Sequence, residues 1–522
     1  MTGVQTCALP IYDEPVALGQ VYGASATNTI TFQSADANAD SVIWENTANS
    51  YTNNYVLKLN GTDHITLKNI TFKNVGASYS QKIVLSGVTD SVTIDSSKFV
   101  GPVTNSSSAN YTSVYGNGAD ATGLKIKNST FTDGGGYAIY LNSSNSSSPP
   151  TGLEISGNTF TDTYSGIFLQ YYDGVTIRGN TIKGSYMYDY GIVLQYCDGA
   201  NVVEDNTIYA PDMAHGIYLN YCQATAGNEA TIVNNLISVE DYGIYMSQYN
   251  TYQNVYYNSV NVLDNYALYY YANNDQFNSK NNIFYSASST SPALYVYNSA
   301  GFTGDYNDLF SNYTYPVYYE GNQTFAEYQA TGNGANSVNL EPVYNTDSTM
   351  VPMRLVLDNL GTPITGITDD INGTTRSETT PDMGAIEFTP SGSALSGTYT
   401  IGTGGDYTTL QDARDAIVAN AISGPVTFNI LSGTYNEQLL LNEVVGASAT
   451  NTVTFQSADA NADSVIWETT NNSNYVLRLS GTDHITLKNI TFKNLGTSYS
   501  RKIVLSGVTD SVTIDNNKFL GY

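Results

Sequence analysis

Basic residues are scarce in this chain. Lys and Arg number 19 against 46 Asp and Glu, which leaves a net charge of −27 over 522 residues. That balance excludes nucleic acid as a partner, because phosphate contacts need a clustered basic surface. Cysteine occurs three times, too few for a disulfide framework or for defining a redox compartment. No run of about 18 apolar residues occurs, so no helix spans a membrane. Helical periodicity is confined to one short window. What the chain has instead is Tyr, 45 residues of it, on a background of Asn, Ser, Thr and Gly. An acidic, lysine-poor composition of this kind is expected outside the cell, secreted or on a cell surface.

The Tyr residues are ordered. The unit Gly-Ile-x-Leu-[Gln/Asn]-Tyr starts at Gly166, Gly191 and Gly216, a period of 25 residues. Alternation of apolar and polar positions within it marks a short strand with one buried face. A strand returning at that interval, with no helix between, predicts a solenoid of stacked coils. The first inward position is followed through Ile139, Ile167, Ile192, Ile217, Ile244, Leu268, Leu294 and Val317. The next residues, Tyr140, Phe168, Val193, Tyr218, Tyr245, Tyr269, Tyr295 and Tyr318, then point outward as an aromatic column. Asn142, Gln170, Gln195, Asn220, Ser247, Tyr271, Tyr297 and Glu320 take the following outward position.

A second strand type repeats from Asp63, as in DGVTIRGNTIKG and GANVVEDNTIYA. Its turn Asn runs through Asn158, Asn180, Asn206, Asn235, Asn258, Asn282 and Asn307. Asn tolerates left-handed backbone and can bond its counterpart on the next coil, so the column predicts a repeated sharp corner. Parallel connections within one sheet are right-handed, so the coil is expected to be right-handed. Roughly a dozen coils at about 4.8 Å give a rod near 60 Å long.

The chain also repeats at long range. Gly23–Glu45 recurs at Gly446–Glu468 with one change, Ile30 to Val453, and Gly61–Asn74 recurs unchanged at Gly481–Asn494. Two large modules are expected: 12–390, with its closing segment at 339–390 and its start missing, and 397–522, truncated. Residues 391–396 link them. Residues 1–11, MTGVQTCALPI, resemble a translated sequencing adaptor and match nothing upstream of the equivalent Tyr435. The second module therefore supplies the missing start, with one helix near Leu410–Ala421. Thr408 or Thr409 is its N-cap, and Gln411 or Asp412 its reciprocal partner. A helix ahead of stacked strands serves as a lid on the first coil.

These features resemble the pectin-lyase-like right-handed parallel β-helix superfamily. GGDYTTLQDARDAI with SGTYNEQLLL is similar to the cap and first coil of pectinesterase-type chains. DDINGTTRSETTPDMGAIEF is similar to the ending of β-helix modules in large bacterial surface proteins. The resemblance implies an all-β solenoid and leaves activity open, since the superfamily includes lyases, hydrolases, esterases and non-catalytic adhesins.

Two functional classes follow. One is a repetitive surface spacer or adhesin with polysaccharide or host-cell glycan as partner, held on Tyr140, Phe168, Gln170, Gln195, Tyr218, Asn220, Tyr245, Tyr269, Tyr295 and Tyr318. Aromatic faces pack on the C–H faces of sugars and amides bond hydroxyls, although cross-strand stacking alone also selects such a column. The other is a polysaccharide-active lyase or hydrolase, which needs paired acids or a base with cation support. The aromatic face offers only Glu320 for that.

No catalytic residue and no cofactor are assigned. Asp173 and Asp198, and separately Asp369 and Asp370, are either Ca²⁺ ligands or turn residues. Arg178 lies close in sequence to Asp173. His215 replaces Tyr at its position, and His64 and His484 lack a second ligand at metal-like spacing. Cys197 and Cys222 are equivalent on adjacent coils, within disulfide reach or simply small fillers of a turn.

Overall fold

The computed structural model describes residues 11–185, 187–470, 474–496 and 500–521. The adaptor-like stretch lies outside them up to residue 10, and Ile11 opens a strand paired with Ile43–Glu45. The described residues divide into two compact units, 11–339 with 347–350 and 359–387, and 340–346 with 351–358 and 388–521.

The first unit is a right-handed parallel β-helix with three long sheets. They hold 12, 14 and 11 strands, stacked in parallel on their counterparts in neighbouring coils, except that Asn322–Gln323 closes the second sheet as an antiparallel hairpin and Ala119–Asp120 pairs off its main path. The register is the one the period predicts: Ile167 pairs with Ile192, Ile192 with Ile217 and Ile217 with Ile244. Those inward residues are buried at 0% exposure. One coil reads Tyr190–Gln195 in the second sheet, Val202–Glu204 in the third and Thr207–Ala210 in the first.

The corner between the third and first sheets carries the Asn column as a continuous hydrogen-bonded ladder. Asn206 donates its backbone N–H and its Nδ2 to Asn235 Oδ1, both at 3.0 Å. Asn235 does the same to Asn258, at 3.0 and 2.9 Å. Every member from Asn158 to Asn307 is at most 1% exposed. One expectation is corrected here. The left-handed residue is the one before each ladder Asn, at Gly157, Gly179, Asp205, Asn234, Tyr257, Asn281 and Tyr306, with φ of 53–64°. The ladder amide is buried in the stack, so its side chain finds partners in the coil above and below.

Inside the first sheet, Phe72, Phe99, Phe131 and Phe160 stack with centroids 5.5, 4.4 and 4.7 Å apart. The end of the stack is covered by α1 (Phe325–Ala330), capped by Thr324 and Glu327 and burying Tyr328. Sequence periodicity missed this helix because six residues show barely two turns. Residues 359–387 instead lie along the ladder corner. Arg376 sits 4.0 Å over the Tyr257 ring and donates to Asn234 Oδ1 at 3.0 Å, while Asn281 Nδ2 donates to Thr362 O at 2.7 Å.

Lys82 is the one fully buried cation whose Nζ lacks a hydrogen-bond acceptor among the described residues. A Cβ at Gly101 would lie 2.9 Å from that Nζ. Burial pushes the ammonium down to about 7, against the pull of Asp133. Between that value and the unfolded value near 10.4 the unfolded chain holds a proton the folded chain lacks, so stability rises with pH across this window. Lys82→Met, of similar volume, is expected to raise stability at pH 7 by on the order of 2 kcal/mol. The gain should shrink as pH approaches 10. Thermal melts of both proteins at pH 7 and pH 10 check it.

In the second unit α2 spans Leu410–Asn420, with Thr409 as N-cap and Asp412 completing the reciprocal box. Leu410, Ala413 and Ile417 are buried against the strands Leu395–Ile401 and Leu439–Leu441, both at sheet edges, as a lid requires. Arg414 is also buried, which its polarity hides in the sequence. Its Nε donates to Leu440 O at 2.9 Å, and it pairs with Glu341, which Asn442 Nδ2 contacts at 2.8 Å. Trp467 repeats the role of Trp44, each donating Nε1–H to a backbone oxygen, of Glu437 and Glu14.

Candidate functional site

From Val114–Asn117 to Val317–Tyr319 the parallel strands of the second sheet carry aromatic side chains, and coil stacking assembles them into columns. The central column follows the predicted line. Tyr140 and Phe168 stack at 4.6 Å, Tyr218 and Tyr245 meet edge-on at 5.1 Å, and Tyr245 and Tyr269 meet edge-on at 4.7 Å. Tyr269–Tyr295 and Tyr295–Tyr318 stack at 4.7 and 4.2 Å. All of these rings are half-buried. Val193 interrupts the column, at 1% exposure. Asn142, Gln170, Gln195 and Asn220 stand half-buried beside it, with Asn142 Nδ2 donating to Asn117 Oδ1 at 3.2 Å. Glu320 does not belong to this row. It follows the last strand in a left-handed conformation, φ 55°, and accepts from Ser299.

Two further columns flank the central one; His215 was expected at a Tyr position, but neither column was. At the strand starts, His215 stacks between Tyr190 at 4.6 Å and Tyr242 at 5.0 Å. Tyr242 continues to Tyr266 at 5.7 Å. At the strand ends, Tyr171, Tyr196, Tyr221 and Tyr249 stack at 5.1, 4.8 and 4.8 Å. These four adopt φ of 51–57°, a conformation costly for a bulky side chain and repaid here by ring stacking. The signal was in the sequence, as the final Tyr of the repeating unit and as the Tyr or His before its Gly.

Gly in that unit has a steric reason. A Cβ at Gly191 would lie 2.5 Å from Gly216 O, and one at Gly216 would lie 2.6 Å from Gly243 O. The strands approach too closely at this corner for a substituent to enter without a shift.

Burial first, and the Asp189 carboxylate and neighbouring phenols second, push the Tyr190 phenol up to about 12. Burial pushes the His215 imidazole down to about 4, and its Nδ1 lacks a partner. It is an uncharged aromatic at neutral pH, as its place among tyrosines requires.

The remaining candidates are engaged in turns. Asp173 Oδ1 accepts the N–H of Asp198 at 2.9 Å, and Asp198 Oδ1 accepts that of Gln223 at 2.7 Å. Asp370 accepts from the N–H groups of Asn372, Thr374 and Glu387, and Asp369 from Thr375 Oγ1. His64 and His484 occupy left-handed corners. Among the described residues no group of three or more His, Cys, Asp or Glu stands close enough to hold a metal ion. Cys197 and Cys222 are buried free thiols, each against backbone oxygens.

Charge gathers elsewhere, in an open groove of about 580 Å³ beside the ladder corner, lined by Glu154, Ser156, Arg178, Asp205 and Asn372 among others. Arg178 pairs there with Glu204 at 3.3 Å, and burial raises the Asp205 carboxyl. Arg178 thus meets carboxylates from neighbouring coils rather than Asp173.

A family model described as "Right handed beta helix region" matches residues 112–224 and 183–334. No curated protein matches the chain. Among solved structures, a PL6 family alginate lyase, AlyGC, aligns over 98% of this chain and 73% of its own at 11% identity, with a TM-score of 0.31. An arginine-to-alanine variant of the same lyase aligns at 10% identity and a TM-score of 0.26 over 97% and 76%. Likeness at that level carries no argument about chemistry. Among the described residues no helix is long and apolar enough to cross a membrane.

Proposed function

We propose that this right-handed β-helix chain, pectin-lyase-like in fold, is a repetitive extracellular or cell-surface protein that holds a glycan along the second sheet of its first unit. The observation that carries the reading is the aromatic surface itself: three ring columns side by side, with an amide row between the central and corner columns. Isolated exposed aromatics are ordinary, whereas a contiguous half-buried array spanning many coils is the kind of surface that marks a binding site. Sugar rings present C–H faces to the phenols and hydroxyls to the amides. Tandem modules fit such a role, since copies of a weak site add avidity and reach.

A polysaccharide lyase or hydrolase is the second reading, favoured by the Glu154–Arg178–Asp205 groove. One experiment separates the two. Purified protein is incubated with neutral and acidic polysaccharides, and both depletion from solution and release of new chain ends are measured. Binding without release supports the glycan-holding reading. Release that disappears in Arg178→Ala supports the enzyme, and neither binding nor release overturns both.

A further inference from the structure

Resting on that reading, we infer that the glycan held by the aromatic face carries no carboxylate or sulfate, so that the face takes uncharged or amine-bearing sugar chains and rejects polyanionic ones. From Val114–Asn117 to Val317–Tyr319 the strands of the second sheet contain no Lys or Arg. A uronate chain laid on this face finds phenols, amides and one neutral imidazole, and no cation for its acid groups.

The edge of the face is acidic. The corner that leads from the first sheet into the second carries Asp133, Asp162, Asp189, Asp212, Asp241 and Asp264, about one carboxylate per coil. Asp189 and Asp241 immediately precede Tyr190 and Tyr242, and their charge acts on those phenols. Asp212, Asp241 and Asp264 act together on Glu240. Among the described residues none of the six has a Lys or Arg nitrogen within 4 Å. Coils repeat at about 4.8 Å, close to the length of one sugar, so the row sets a negative charge beside nearly every sugar of a chain lying along the axis. At 0.1 M salt the Debye length is about 10 Å, so the repulsion reaches across the neighbouring ring column. Like-charge juxtaposition is an effective means of excluding wrong ligands.

The test uses the whole chain and three probes of equal length: a glucose hexamer, a glucosamine hexamer and a galacturonate hexamer, titrated at 20 and 300 mM salt. The glucose hexamer is expected to bind at least tenfold tighter than the galacturonate hexamer at 20 mM, with the gap narrowing at 300 mM. Asp189→Asn/Asp241→Asn should narrow it at low salt too. Preferential binding of the amine-bearing hexamer also supports the inference, because it reads the same acidic row. Equal or tighter binding of the galacturonate hexamer, or a gap that ignores both salt and the two substitutions, overturns the inference and leaves the glycan reading standing. Failure of all three hexamers to bind overturns the glycan reading, and this inference with it.

Discussion

Asn235→Ala is expected to lower the stability of the first unit by about 3–5 kcal/mol, out of proportion to a side chain that carries no apolar contact area of note. The reason lies in what is left behind. Asn235 Oδ1 accepts two bonds from Asn206, at 3.0 Å each, and its Nδ2 donates to Val203 O and Asn258 Oδ1 at 2.9 Å each. Truncation strands a buried N–H and a buried amide on one coil and removes a donor from three oxygens, Val233 O at 3.1 Å being the third, in a stack that is 0% exposed there. Each unsatisfied buried group costs about 1–3 kcal/mol. Because solenoid stability is a sum of coil and interface contributions, the damage should be local before it is global. Hydrogen exchange is the fitting measurement: amides of 203–208 and 232–237 should lose protection first. Gln170→Ala, at a half-exposed amide, should change stability by no more than about 0.5 kcal/mol. A ladder variant as mild as Gln170→Ala would show that the coils are held by apolar packing alone.

The second large effect concerns binding. Tyr218→Ala/Tyr245→Ala/Tyr269→Ala is expected to weaken glycan affinity about 100-fold, each lost ring costing about 1 kcal/mol. These rings meet edge-on at 5.1 and 4.7 Å and lean on Tyr190, His215 and Tyr242 of the flanking column. Their removal opens the middle of the surface. Some stability goes with them, so circular dichroism must first show the variant folded. Tyr245→Phe keeps the ring and loses only the hydroxyl, and affinity should stay within about threefold. If Tyr245→Phe and the triple variant lose affinity alike, the contact is made by phenol hydroxyls rather than by ring faces.

The solenoid and its register were legible in the sequence because a coil is short and its inward positions are strict. Ile192 and its counterparts can be nothing but core. The Asn column was legible as a corner, but its internal geometry was not. Tolerance of left-handed backbone and capacity to bridge coils are both properties of Asn, and spacing alone does not divide them between Asn234 and Asn235. The central aromatic column was placed by alternation. The flanking columns escaped because they sit where strands begin and end, at Tyr190 and at Tyr196, where alternation stops informing on direction. The acidic row was hidden for another reason: Asp133, Asp162, Asp212 and Asp264 lie in corners of differing length, and only stacking aligns them. Arg414 and Lys82 show the same limit, since nothing in a charged residue's local pattern announces burial.

The ring columns together form one track along the coil axis, the corner column of Tyr171, Tyr196 and Tyr221 carrying it past Val193, and affinity against ligand length tests this most directly. With uncharged oligosaccharides of two to eight sugars titrated calorimetrically, the track predicts affinity rising with each added sugar, at least tenfold from dimer to hexamer, with the rise lost in the triple Tyr variant. Affinity that is independent of length, or a length dependence that survives loss of Tyr218, Tyr245 and Tyr269, would contradict it.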